Sequence, residues 1–150
     1  MQKKQMPWWA VLAGGTILII LVGFVFSFFN IAGEQTLPAT RSQMLLKILL
    51  WGPLLGTLEG ILVPYEMVTA GCGGVFKKEY PAASVIFAAL MYGLMHLTSP
   101  LFFLYSTVCG LILSCSYLMF RNAKGWWFAA IMTFAMQLLV NLVSFGINAL

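Results

Sequence analysis

The chain has 150 residues, of which 61% are apolar and only 8% charged, with a net charge of +4. A soluble domain carries about 25% charge, so this composition excludes a water-facing globular protein. It points to an all-α, polytopic membrane helical bundle forming a single domain over residues 1–150. The basic residues stand in small pairs between apolar runs, which is a topology signal and not a nucleic-acid surface.

The first apolar run, 8–30, follows Lys3, Lys4 and Pro7 and opens on Trp8 and Trp9. Its length is enough to cross a bilayer, and the paired tryptophans suit the interface belt. It is longer than a signal-peptide core and lacks a small-residue cleavage pattern, so it reads as a retained helix. Residues 30–43, with Glu34, Pro38 and Arg41, read as a loop. A second run, 44–70, is interrupted by Pro53 and Pro64, with Gly52, Gly56 and Gly60 recurring at every fourth position. Prolines kink a membrane helix, and the carbonyls they free must find partners. Residues 71–80 form a second loop containing Lys77 and Lys78. A third helix is expected over 81–97 and a fourth over 101–120, joined by a turn at Thr98 to Pro100. Arg121, Asn122, Lys124 and Gly125 then lead through Trp126 and Trp127 into a fifth helix, 126–147.

The charges test this count. With five transmembrane helices, Lys3/Lys4, Lys77/Lys78 and Arg121/Lys124 all fall on one side. The positive-inside rule makes that side, and the N-terminus, cytoplasmic. The expected setting is a multi-pass protein of a prokaryotic cell membrane. Cys72, Cys109 and Cys115 show no metal or disulfide spacing and read as small apolar fillers.

Five polar residues inside the apolar runs supply any site: Glu59, Glu66, His96, Gln137 and Asn141. His96 is the single histidine, and a titratable ring beside lipid is costly unless satisfied. A glutamate opposite it would suit a metal-bound water or a proton transfer. A catalytic zinc, however, takes three protein ligands. Straight helices place Glu59 and His96 about 15 Å apart in depth. Glu66 is expected to face the cytoplasmic headgroups, and Gln137 and Asn141, on one helix face, to act as interhelical glue.

In order, Pro53 to Pro64, Tyr92 to Leu97 and Tyr117 to Gly125 resemble motifs of the CAAX-protease and bacteriocin-processing family of intramembrane proteases. Glu59 stands in the place of that family's first motif glutamate. Gly60 stands in the place of the second, and Pro64 in that of the arginine. Tyr92 and His96 match the second motif, an aromatic followed by histidine. Gln137 and Asn141 have the spacing of the third, whose histidine is absent. The resemblance spans Pro53 to Asn141. It implies zinc and catalytic roles for Glu59 and His96 if the chain is a protease.

Three functions follow. The first is a small membrane-embedded binding or assembly protein without hydrolytic activity, whose partners are membrane lipids, other membrane subunits or further copies of itself. The second is an intramembrane metalloprotease using Glu59 and His96. The third is a transporter or channel subunit, suggested by the broken helix between Pro53 and Pro64.

Overall fold

The computed structural model describes residues 6–29 and 41–149. Lys3, Lys4, Glu34 and most of the predicted 30–43 loop lie outside the described residues. Helix α1 is Trp8–Ser27. Helix α2 runs over 41–76 as one rod containing two π-helical segments, Lys47–Trp51 and Gly56–Leu62. Helix α3 is Pro81–Leu94, α4 is Pro100–Lys124 and α5 is Trp126–Ala149. The described residues thus form an all-helical bundle of five helices, four of them long and apolar enough to cross a membrane.

The two prolines explain the irregularity of α2. In each π segment the backbone pairs at i→i−5: Gly52 N–H donates to Lys47 O, and Val63 N–H donates to Leu58 O. The next donor along would be Pro53 or Pro64, and proline has no N–H. The widened turns therefore sit directly before each proline. Farther on, α2 passes through Gly71, Gly73 and Gly74, which the sequence reads as loop, and ends only at Phe76. Glycine is common in membrane helices. The stop comes from Lys77, which adopts a left-handed conformation at φ 53°.

Helix α3 is shorter than expected. Its 14 residues rise about 21 Å, less than a hydrocarbon core of about 30 Å. After Leu94 the chain tightens into turns, with His96 N–H on Gly93 O and Leu97 N–H on Leu94 O. Pro100 disfavours helix at Ser99. Ser99 is instead extended and caps α4, its hydroxyl accepting from Phe102 N–H at 3.1 Å. At the other end, α4 continues past the expected Phe120 to Lys124, so Arg121 and Lys124 lie in its last turn. Cations there complement the helix dipole. Gly125, at φ 89°, turns the chain into α5.

Helix α4 is central and touches all four others. Its inner face carries Leu113, Tyr117 and Phe120 among the small polar residues Ser106, Ser114 and Ser116, all buried. Small residues allow close approach where lipid supplies no hydrophobic drive. At Gly110 a Cβ would lie 2.9 Å from Ala89 O, so α3 and α4 meet backbone to backbone. Helix α1 is peripheral: it buries Val11, Thr16 and Ile19 and leaves Ile17, Leu18, Leu21 and Phe24 exposed.

One end of the bundle gathers the start of α1, the α2–α3 link and the α4–α5 turn. Trp8 meets Phe128 edge-on at 6.0 Å, and Lys124 lies 5.0 Å over the same Phe128 ring. Arg121 reaches Glu79 at 3.7 Å. The described basic residues Lys77, Lys78, Arg121 and Lys124 therefore share that end, as the charge pattern requires.

Candidate functional site: a cavity beside His96

The antiparallel packing of α2 and α3 is pinned by a buried hydroxyl pair, Thr69 Oγ1 to Ser84 Oγ at 2.9 Å. More than two turns farther on, a Cβ on Gly60 would meet the Tyr92 ring at 2.6 Å and Met95 Sδ at 3.5 Å. This register brings Glu59 to nearly the depth of His96. The 15 Å offset expected from straight helices entering at 44 and 81 is absent, because α2 extends to Phe76 and so starts deeper on the α3 side.

Depth is shared, but direction is not. Gly56, Thr57, Gly60 and Ile61 form the buried face of this part of α2, while Glu59 is exposed beside Leu55, Leu58 and Val63. Among the described residues, no hydrogen bond or ion pair links Glu59 to His96, and no group of three or more His, Cys, Asp or Glu side chains stands close enough to hold a metal.

His96 instead borders a cavity of about 140 Å³ with Tyr92, Phe102, Tyr105, Ser106, Gln137 and Asn141. The structure thus brings together three of the five polar residues singled out by sequence. The His96 ring packs on Tyr92 at 4.9 Å, and its Nδ1 lies 2.9 Å from Tyr92 O. A carbonyl only accepts, so Nδ1 carries the proton and, in the neutral ring, Nε2 is left as the acceptor.

Gln137 and Asn141 lie one turn apart on α5, and each is committed to α2. Gln137 Nε2 donates to the buried Thr57 hydroxyl at 3.2 Å, and the Gln137 amide fills the space that a side chain at Gly56 would need. Asn141 Nδ2 donates to Ile48 O at 2.9 Å. That carbonyl is the one whose π-helical donor would have been Pro53. The interhelical glue expected of these amides is therefore a repair of the broken helix. The proline signalled the freed carbonyl in the sequence, but not which distant amide would meet it.

Glu66 is held at the basic end. Arg121 grips it through two bonds, Nε to Oε1 at 2.8 Å and an Nη nitrogen to Oε2 at 3.2 Å, and the buried Tyr117 hydroxyl donates to Oε1 at 2.9 Å. Sequence placed Glu66 and Arg121 on the same side without pairing them, having read Arg121 as loop.

The donor set lining the cavity beside His96 is one imidazole, the Cys109 thiol, two amides and several hydroxyls, which gives two ligands of the zinc-binding kinds. It does not fit a catalytic zinc, which takes three protein ligands from histidine, cysteine or carboxylate. The set suits hydrogen bonding to water or to a small polar group. Comparison with protein-family models, with curated proteins and with solved structures gives no match.

Proposed function

We propose that the chain is a small membrane-embedded binding or assembly protein, built on a scaffold like that of the CAAX-protease and bacteriocin-processing family but without its hydrolytic set. The observation that carries this reading is the separation of carboxylates from histidine. Glu59 faces outward, Glu66 is tied to Arg121 and Tyr117, and His96 shares its cavity with amides, hydroxyls and the Cys109 thiol but no carboxylate. By the positive-inside rule, the end bearing Lys77, Lys78, Arg121 and Lys124 is cytoplasmic, in a prokaryotic cell membrane. Membrane lipids and other membrane subunits are the partners.

The irregular α2 favours a transporter or channel subunit as the second reading, since unwound carbonyls coordinate ions in such proteins. Against it, the Ile48 carbonyl is already taken by Asn141. Elemental analysis of the detergent-purified protein, alongside His96→Ala and Glu59→Ala, tests the main reading. No stoichiometric zinc is expected in any of the three. One equivalent of zinc in the parent, lost in both variants, would restore the protease.

A further inference from the structure

Helix packing puts Glu59 near the middle of the apolar spans, without a hydrogen bond or ion pair to any described residue. Its depth follows from the packing. Gly60 abuts Tyr92, and Tyr92 abuts Gly110 of α4. From Gly110 to Arg121, at the basic end, α4 rises about 16 Å. From Lys47, at the opposite end of the apolar span, α2 rises about 18 Å to Glu59. In a core about 30 Å thick, both counts place Glu59 close to the midplane. A glutamate side chain is too short to reach either interface from there.

Around it runs an exposed stripe of Trp51, Leu55, Leu58, Val63 and Met67. A single carboxyl breaks this lipid-facing surface. Glu59 has no hydrogen bond or ion pair with any described residue, in contrast to Glu66 and Glu79, which both meet Arg121. Its backbone adds to the demand, since Pro64 has no N–H to offer the Glu59 carbonyl across the π turn. Charged groups within a bilayer are costly, and where they occur they pair or mark function.

We propose that this face docks a transmembrane helix of another protein, one that carries a lysine or arginine at its own midpoint. Charge complementarity selects this occupant. The described basic residues of the chain, Arg41, Lys47, Lys77, Lys78, Arg121 and Lys124, stand at or near the ends of the helices, away from Glu59. A second copy inserted in the same orientation would bring Glu59 against Glu59. Lipid headgroups, being interfacial, do not reach this depth. A basic side chain with several N–H groups would serve both the carboxylate and the neighbouring carbonyl.

This inference rests on the assembly reading, and its test is separate from the metal analysis. The full chain, labelled with a donor fluorophore, is mixed in phosphatidylcholine vesicles with acceptor-labelled synthetic helices. One is a leucine–alanine helix with a central lysine. The others carry leucine at the centre, or the lysine two turns from it. Energy transfer is expected to show about tenfold tighter binding of the central-lysine helix than of the leucine helix, in the range of polar contacts between membrane helices. The preference should vanish in Glu59→Leu and persist when His96→Ala is made instead. Equal binding of the three helices would overturn the proposal while leaving the metal analysis, and the assembly reading it tests, untouched. Self-association of the parent chain that is lost in Glu59→Leu would also overturn it, because the occupant would then be a second copy.

Discussion

Removing either partner of the Glu66–Arg121 pair should destabilise the bundle by about 1–2 kcal/mol. Charge-assisted hydrogen bonds are worth about 1.5–3 kcal/mol, and Arg121 makes two to Glu66. The side chains are 23% and 31% exposed, which lowers that figure through screening. Opposing this, Tyr117 is fully buried and its hydroxyl depends on Glu66 for an acceptor. Glu66→Gln keeps an acceptor for Tyr117 but loses the charge. Arg121→Met keeps the aliphatic bulk over Tyr65, where the guanidinium lies 5.8 Å from the ring. Reversible unfolding of both variants and of the double variant, in mixed micelles, closes a double-mutant cycle. A coupling of about 1 kcal/mol is expected. Residues that do not interact add within about 0.3–0.5 kcal/mol, so additivity to that level would refute the claim that these two groups hold α2 to α4.

Other consequences are smaller and independent. Gly56→Ala drives a methyl into the Gln137 amide and should cost about 1–3 kcal/mol in the same unfolding assay. Adding Gln137→Ala should recover part of that loss. Asn141→Leu orphans the Ile48 carbonyl and should cost about 1 kcal/mol, with faster amide exchange confined to the Lys47–Trp51 turn. Thr133 is fully buried and its hydroxyl has no hydrogen-bond partner among the described residues, so Thr133→Val should be neutral or raise stability slightly. Gly125→Ala should cost about 1 kcal/mol although open space surrounds the site, because the penalty lies in its positive φ.

The helical class, the number of helices and the clustering of Lys77, Lys78, Arg121 and Lys124 at one end were all legible in the sequence. Apolar run length and charge position are one-dimensional signals, and the bilayer makes them strong. Helix ends were less legible. Gly71 to Gly74 and Arg121 read as loops by composition, yet both lie in helix, since Lys77 and Gly125 are where the backbone turns. The site was legible as a set of residues but not as an arrangement. His96, Gln137 and Asn141 converge, while Glu59 points away at nearly the same depth. That direction depends on how far each π turn rotates α2, and periodicity read at 3.6 residues per turn has no means of showing it.

A π turn is an α-helix holding one residue more than it needs. Helix α2 holds two such turns, each kept open by the proline that follows it. The helix therefore stores two single-residue insertions. Loss of a residue from Gly56–Leu62 would tighten that turn and rotate the rod between two fixed points, Thr69 against Ser84 on one side and Asn141 at Ile48 on the other. Most exchanges in a lineage change what a position is. Here a change in length would alter which way the segment around Glu59 faces, and so turn a carboxyl away from the exposed stripe while every remaining side chain stays as it is.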